Sequence, residues 1–147
     1  MSDFEHTLIL LKPDALRRGL IGEILRRFER AGLRIQDIRR VKLTAKQLEL
    51  HYAELRSKNP RAYDRNARYL ADQYGVAVAM AGIRAIAKAR LLTGPTEPAS
   101  APPGTIRGDY SSDTIAVADA EDRGLHNLIH AADSAEAAAR ELALWFE

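Results

Sequence analysis

The chain has 147 residues, a length that suits one domain with a full hydrophobic core. It is 46% hydrophobic and 29% charged, as ordinary globular proteins are, and it has no cysteine for disulfides, thiolate metal sites or nucleophilic attack. The net charge of +2 suits an anionic small molecule but does not indicate a nucleic-acid binder, so no specific nucleic-acid partner is expected.

The N-terminal segment, MSDFEHTLILLKPD, has acidic residues ahead of a short apolar run, which is not the pattern of a secretory signal. No apolar run approaches the roughly 18 residues that a membrane span requires. We therefore expect a cytoplasmic protein with no membrane partner. Residues 7–11 are predicted to form a buried strand that ends in a turn at Lys12-Pro13-Asp14.

Strands and helices alternate along the rest of the chain. Apolar spacing predicts helices over residues 14–31, 44–55, 60–71, 82–91 and 134–146, and strands over 33–43, 76–80 and 128–130. The Pro- and Gly-rich stretch 92–110 is predicted to be an irregular functional loop, and residues 113–126 show no clear pattern. The alternation favours a single α/β domain over residues 1–147, with helices on one face of a small sheet.

His130 ends the last predicted strand, in the segment NLIHAADS, immediately before the final helix. A side chain at this place projects over the edge of the sheet near a helix N-terminus, where anionic ligands collect. The alternative is a buried structural histidine. His6 and His126 are expected to be solvated, and His51 is expected to be a packing or surface residue.

Glu141 lies on the stripe of the final helix that should face the core, beside Ala137, Ala138 and Trp145. A buried carboxylate is costly unless it is paired, and the simplest partner is a ring N–H of His130. That contact would fix the tautomer and leave the other ring nitrogen free to attack. The alternative is a partly exposed glutamate at the edge of the stripe.

Basic and hydroxyl side chains occur at several points that the fold could bring to this histidine. They are Lys12 at the end of the first strand and Arg90, Thr96 and Arg107 in and around the irregular loop. Together such groups would stabilise the oxygens of a phosphoryl group, although each arginine alone could form a surface ion pair. Phosphate-binding glycine loops and paired metal ligands are absent from the sequence, so any Mg²⁺ would arrive on a nucleotide's phosphates.

The chain resembles the nucleoside diphosphate kinase family over nearly its whole length. The motifs that carry the resemblance are TLILLKPDALRRGLIGEILRRFERAG, HYAEL, GPTEPASAPPGTIRGDY, NLIHAADS and ELALWF. The resemblance implies an α+β fold, a ferredoxin-like βαββαβ sandwich with an antiparallel sheet covered by helices, assembled as a homo-oligomer. It also implies ping-pong transfer of the γ-phosphoryl from a Mg²⁺-bound nucleoside triphosphate, through a phosphohistidine, to a nucleoside diphosphate.

By the same resemblance, His130 is the phosphorylated nucleophile and Glu141 the acid that hydrogen-bonds its ring. The other matching positions are Lys12 and Asn127 at the ribose hydroxyls and terminal phosphate, Arg90, Thr96 and Arg107 in the phosphate clamp, and Tyr52 as the aromatic beside the histidine. Attack requires a neutral imidazole, so activity should fall on the acid side of a pKa that is nominally about 6.5.

The chain departs from the family pattern at three places. Ala131-Ala132 replace the family's Gly-Ser, and the lost hydrogen bond, worth about 0.5–1.5 kcal/mol, predicts a roughly 2- to 12-fold slower reaction. Ala62 stands at the nearest equivalent of the base-stacking phenylalanine, which leaves Tyr63 as the candidate for stacking. The connection 113–126 is long and the chain stops soon after Trp145, so the oligomer could be a dimer, tetramer or hexamer.

Two functional hypotheses follow. The favoured one is an active nucleoside diphosphate kinase that tolerates different bases, because donor and acceptor share the same phosphate end. The alternative is a catalytically weakened family member that acts as a nucleotide-binding or regulatory partner.

Overall fold

The computed structural model describes residues 3–147. The strands are β1 Phe4–Leu11, β2 Arg34–Lys42, β3 Tyr74–Ile83 and β4 Ile129–Ala131. The helices are α1 Pro13–Arg17, α2 Ile21–Arg30, α3 Ala45–His51, α4 Ala53–Lys58, α5 Pro60–Leu70, α6 Ala85–Thr93, α7 Ile106–Tyr110, α8 Ile115–Ala120 and α9 Ala135–Phe146. The stretch 92–110, predicted to be irregular, therefore contains α7 and a 3₁₀ turn at Pro98–Ser100.

The four strands form one antiparallel sheet in the order β2-β3-β1-β4. This order, with helices between β1 and β2 and between β3 and β4, is the ferredoxin-like α+β arrangement, so that prediction is confirmed. β1 lies between β3 and β4, and Leu10 is paired with His130. The pairing brings the end of β1, where Lys12 follows, next to the histidine.

Helices cover both faces of the sheet. On one face Ile9 and Leu11 pack with residues of α2 and α6, and on the other Leu8 and Leu10 pack with residues of α3, α5 and α9. The prediction of helices on one face only is wrong. Residues 8–11 are apolar without alternation, and such a run is typical of a strand that is buried on both sides.

The chain near Gly82 also differs from the prediction, because β3 continues to Ile83 where a helix was expected to begin. Gly82 pairs with Glu5 of β1, and a Cβ at this position would lie 2.8 Å from a methyl group of Leu33. A larger residue here would press on the Leu33 side chain, and α6 begins only at Ala85.

Side-chain caps fix the start of the two helices that flank the histidine. The hydroxyl of Thr44 accepts the N–H of Gln47 at the start of α3, as the capping-box pattern predicts. The hydroxyl of Ser134 accepts the N–H of Ala137 at 3.0 Å, which sets the first turn of α9. These caps satisfy backbone N–H groups in the first turns of α3 and α9.

The segment 113–126, for which the sequence shows no pattern, forms α8 and packs against α5. Arg65 of α5 donates to Asp119 at 2.6 Å. The ring of His126 lies against the ring of Tyr69, with centroids 4.7 Å apart. His126 is therefore half-buried, and the prediction that it is solvated is wrong.

β2 is an edge strand, and most of its side chains are exposed, with Ile38 exposed by 47%. Within residues 3–147, no helix combines the length and the apolarity that a membrane crossing needs.

Candidate active site

His130 on β4 and Glu141 on α9 form a buried pair. Nε2 of His130 lies 2.6 Å from a carboxylate oxygen of Glu141, and their side chains are 22% and 4% exposed. An ionised carboxylate can only accept, so Nε2 donates and the proton of the neutral ring is on that nitrogen. The lone pair of Nδ1, on the other edge of the ring, is then free to attack.

The surroundings oppose a positive charge on His130. Burial lowers the pKa of His130, and the cationic side chains of Lys12, Arg107 and Arg90 lower it further. Burial also raises the pKa of Glu141 to about 7. The imidazole is therefore neutral near pH 7, the state that a nucleophile requires.

Lys12 follows directly after β1 and is buried beside Asn127. Its Nζ donates to Oδ1 of Asn127 at 2.7 Å. Burial, reinforced by the charge of Arg107, lowers the pKa of Lys12 to about 8. The lysine is thus still mostly cationic at pH 7, but its proton is held less tightly than on an exposed lysine.

Arg107 on α7 joins three parts of the backbone around the histidine. Its guanidinium donates to the carbonyl oxygens of Asn127 at 3.1 Å, of Gly94 at 3.0 Å and of Ile129. Burial, together with the charge of Arg90, lowers the pKa of Arg107 to about 10, so it remains a cation. One buried side chain thereby fixes both β4 and the start of the loop after α6.

Arg90 and Thr96 complete the group of predicted phosphate ligands. The Arg90 guanidinium donates to the carbonyl oxygen of Ala131 at 3.2 Å, beside the histidine. The carbonyl of Thr96 accepts from Nδ2 of Asn127 at 3.0 Å, and the residue itself is exposed. The structure thus brings residues that are distant in sequence together around β4.

Two adjacent residues of the helical segment α3–α4 contact the histidine ring. The ring centroid of Tyr52 lies 6.3 Å from that of His130, and burial raises the pKa of Tyr52 to about 12, so its hydroxyl stays protonated. The ring of His51 lies closer, with centroids 4.3 Å apart. The sequence motifs assign His51 no functional part, although its spacing of three residues from buried Leu48 indicates the core side of α3.

Tyr63 does not present its ring to this group. Its side chain is buried, at 8% exposure, and the guanidinium of Arg56 lies over its ring at 5.8 Å from the centroid. Burial raises the pKa of Tyr63, and the carboxylate of Glu49 on α3 raises it further. A ring covered in this way is not free to stack on a base, which argues against the predicted base-stacking role of Tyr63.

The backbone just before the histidine is strained. Leu128 is fully buried and has a φ of 71°, in the left-handed region that bulky residues rarely adopt. Its N–H donates to the carboxylate of buried Asp14 at 3.0 Å, and its carbonyl accepts the N–H of Lys12 at 2.8 Å. Asp14 therefore positions the turn that leads into His130, a role for which the sequence offers one signal, its place directly after Lys12-Pro13.

Ala132 lies two residues after the histidine and is fully buried. It packs with Ala137 and Ala138 in the first turn of α9, against Ile86. The side chain that replaces the expected serine is therefore part of a small apolar cluster between His130 and the helix that carries Glu141.

The fold and the site define a class. An α+β sandwich that holds a neutral histidine against a buried acid, beside three cations, has the groups that a phosphotransferase requires. The family model described as nucleoside diphosphate kinase matches residues 5–147. The chain is 44% identical over 142 residues to nucleoside diphosphate kinase 3 of Homo sapiens, covering 97% of this chain and 77% of the relative. It is 41% identical over 173 aligned residues to the nucleoside diphosphate kinase of Pyrobaculum aerophilum, covering 97% and 94%.

Solved structures agree. A transition-state mimic of the nucleoside-diphosphate kinase from Borrelia burgdorferi, with bound vanadate and ADP, superposes with a TM-score of 0.94 at 31% identity, covering 98% of this chain and 88% of that one. The crystal structure of an NDP kinase from Pyrobaculum aerophilum gives a TM-score of 0.88 at 37% identity, covering 98% and 96%. The chain belongs to the nucleoside diphosphate kinase family, and it is a phosphotransferase that acts between nucleotides.

Proposed function

We propose that Nδ1 of His130 carries the phosphoryl group. In the first half-reaction a bond forms between Nδ1 and the γ-phosphorus of a nucleoside triphosphate. The bond from that phosphorus to the bridging oxygen breaks, and the nucleoside diphosphate leaves with the electron pair. In the second half-reaction a terminal oxygen of another nucleoside diphosphate attacks the phosphorus, and Nδ1 regains its lone pair.

The 2.6 Å contact between His130 and Glu141 is the observation that carries this proposal. Formation of the N–P bond places positive charge on the ring, and the carboxylate at Nε2 stabilises that charge. The same contact keeps the proton on Nε2 when the ring is unphosphorylated. An acid placed behind a histidine in this way is what a nucleophile needs, and a purely structural histidine does not need it.

We propose that the surrounding polar residues bind the nucleotide. Arg90 and Arg107 would neutralise charge on the phosphates, and the exposed Thr96 would donate its hydroxyl to them. Lys12 and Asn127, already hydrogen-bonded to each other, would hold the terminal phosphate and the ribose hydroxyls. The ring of Tyr52 would pack against one side of the nucleophile His130.

We propose that Mg²⁺ enters with the nucleotide. Among the described residues, the one cluster with metal-ligand spacing is His51, His130 and Glu141. Two imidazoles and one carboxylate do not suit Mg²⁺, which prefers oxygen ligands and keeps several waters. Bound between the phosphates, the ion would neutralise part of their charge, while this chain supplies the cations on the protein side.

We propose a homo-oligomer in which edge strand β2 takes part. Its backbone hydrogen-bonding groups are unpaired on one side within the described chain, and exposed Ile38 adds apolar surface there. The number of subunits, the cytoplasmic location and the absence of a specific nucleic-acid partner stay predictions from the sequence. The alternative of a catalytically weakened member has less support, since the nucleophile, its acid and the cations are all present.

Phosphorylation of the chain tests this proposal. The protein is incubated with labelled ATP and Mg²⁺, and the chain is then assayed for phosphate that is acid-labile and base-stable. We expect the label on the unaltered protein and on the control His6→Ala, since His6 is exposed, and none on His130→Ala. Equal labelling of His130→Ala would exclude His130 as the carrier, and an unaltered protein that never labels would favour a nucleotide-binding partner.

A further inference from the structure

His51 is a buried titratable residue that the reaction above leaves unused. Its side chain is at the end of α3, is 5% exposed, and packs edge-to-face against His130 with ring centroids 4.3 Å apart. A histidine in contact with a proposed nucleophile can change that nucleophile's protonation, so its hydrogen bonds need to be accounted for.

The hydrogen bond from Trp145 sets the tautomer of His51. Nε1 of the indole lies 3.0 Å from Nδ1 of His51. An indole N–H can only donate, so Nδ1 accepts and the proton of the neutral ring is on Nε2. That Nε2 is buried and has no hydrogen-bond partner in the structure. A buried donor without a partner is costly, which suggests that it acts in another state of the site.

The neighbours of His51 permit two roles. One ligand atom of each of His51, His130 and Glu141 lies within 4.8 Å of the other two. Two imidazoles and a carboxylate could hold zinc, but a ligand nitrogen must present a lone pair. Because Trp145 donates to Nδ1, Nε2 presents a proton instead. The arrangement therefore favours hydrogen-bond donation over metal binding.

We propose that His51 is a positioning residue whose Nε2–H acts as a second donor to the Glu141 carboxylate and keeps it ionised behind His130. This inference rests on the proposed function of His130. One oxygen of Glu141 accepts from His130, while the other lies 3.9 Å from the Arg140 guanidinium, beyond hydrogen-bond distance. A further N–H donor stabilises a buried carboxylate, and an ionised Glu141 keeps Nδ1 of His130 unprotonated.

Several groups lie around Glu141, whose pKa is raised by burial. A neutral His51 would act on this carboxylate through a hydrogen bond from its Nε2–H and not through a charge. The other groups that face the carboxylate are His130 from β4, Arg140 from α9, Arg90 from α6 and Asp133 from the turn before α9. Lys12 and Arg140 act on His51 itself, whose pKa is lowered to about 3, mainly by burial, so the ring stays neutral.

The test is the pH dependence of His130 phosphorylation by ATP and Mg²⁺ in a single turnover. The variants are His51→Met, which removes the donor, and His51→Gln, which has a similar size and keeps an N–H. For His51→Met we expect the acid limb to move up by about one pH unit, because the carboxylate loses a donor. Its rate should approach that of the unaltered protein above pH 9, where Glu141 is ionised in both.

For His51→Gln the acid limb should stay within a few tenths of a unit of the unaltered protein. A rate for His51→Met that is lower by the same factor at every pH would overturn the proposal, since that is the result of a structural role. If the unaltered protein carries no label on His130 at any pH, the proposed function itself fails. A normally labelled protein with an unshifted profile in His51→Met removes only the role of His51.

A measurement on the unaltered protein covers the case in which His51→Met does not fold. Nitrogen-15 NMR reports the tautomer of each histidine directly. We expect His51 to carry its proton on Nε2, and a proton on Nδ1 would overturn the proposal. In Trp145→Phe the tautomer is no longer fixed, so the acid limb should move in the same direction as in His51→Met, but by less.

Discussion

The site around His130 and the segment 113–126 beside it are held in place by different forces. Around His130 the contacts are buried: the carboxylate of Glu141, the guanidinium of Arg107 on three carbonyls, and the Lys12–Asn127 hydrogen bond. The segment 113–126 is held mainly by ion pairs at the surface, in which the half-buried Arg65 and the exposed Arg68 of α5 contact the exposed carboxylates of Asp119 and Asp122.

The difference matters because the segment borders the site. The N–H of Ile115 donates to the carboxylate of Glu97, next to Thr96, and the N–H of His126, next to Asn127, donates to Asp113. Buried hydrogen bonds are insensitive to salt, while exposed ion pairs are screened. We call the buried contacts around His130 the buried half of the site, and the segment 113–126 with its ion pairs the outer half. We therefore expect added salt to leave the chemistry at His130 unchanged and to alter nucleotide binding through the outer half.

The largest effect should come from Glu141→Gln, which alters the buried half. Glu141 has a pKa raised to about 7, so as the pH falls through 7 the carboxylate takes up a proton and stops accepting from Nε2 of His130. Activity of the unaltered protein should then decline. The glutamine carries no negative charge to stabilise the phosphorylated ring, so we expect kcat/KM to be at least roughly 100-fold lower at pH 8. Because the glutamine cannot titrate, the acid limb of the pH profile should move to lower pH. Steady-state rates from pH 5 to 9 measure both.

The control for this variant is Glu136→Gln, on the exposed stripe of the same helix. It should leave both the rate and the profile unchanged. An acid limb near pH 7 that persists in Glu141→Gln would assign the titration to His130 rather than to the carboxylate. The assignment of the buried pair as the source of the pH dependence would then be wrong.

The buried half could be predicted well from the sequence because its signals are local. Glu141 falls on the apolar stripe of α9, and that position alone indicates a buried carboxylate in need of a partner. The contact with His130 follows because a strand end and a helix start adjoin. Helical spacing places His51 on the core side of α3, but no spacing predicts that Trp145, 94 residues away, fixes its tautomer.

The outer half could not be predicted for a related reason. α8 has exposed Ile115 and Val117 and no apolar stripe, so its residues do not show the periodicity of a packed helix. Its position depends on ion pairs between residues more than fifty apart in sequence. In the same way, the Tyr63 ring is covered by the guanidinium of Arg56 from across the α4–α5 turn, and the family motifs in the sequence do not indicate this contact.

A middle-sized effect is expected at Ala132→Ser, within the buried half. If a serine hydroxyl here hydrogen-bonds beside Glu141, one bond of about 0.5–1.5 kcal/mol should raise the phosphorylation rate roughly 2- to 12-fold. The measurement is the single-turnover rate with ATP, together with Tm. Ala131→Ser is the matched control, since Ala131 is also buried but belongs to the core on the other side of the sheet.

An unchanged rate with a lowered Tm in Ala132→Ser would mean that the hydroxyl is buried without an acceptor among the alanines of α9. The account of the missing serine would then be wrong, and the alanine would be the better residue for this packing. A rate increase of the same size in Ala131→Ser would assign the effect to the local backbone rather than to a hydrogen bond.

The smallest effect should come from Arg65→Met, which breaks the outer half alone. The Arg65 side chain is 17% exposed, but Asp119 and Asp122 are more than half exposed, so the pairs are partly screened. We expect KM for a nucleoside diphosphate to rise by less than about fivefold at low salt, with kcat unchanged. In the unaltered protein KM should rise with added salt. In Arg65→Met it should rise much less, because the variant has already lost the pairs that salt weakens.

The control variant is Lys58→Met, which removes an exposed pair with Glu54 and should keep the salt response of the unaltered protein. A fall in kcat in Arg65→Met would show that the outer contacts reach the chemistry at His130 after all.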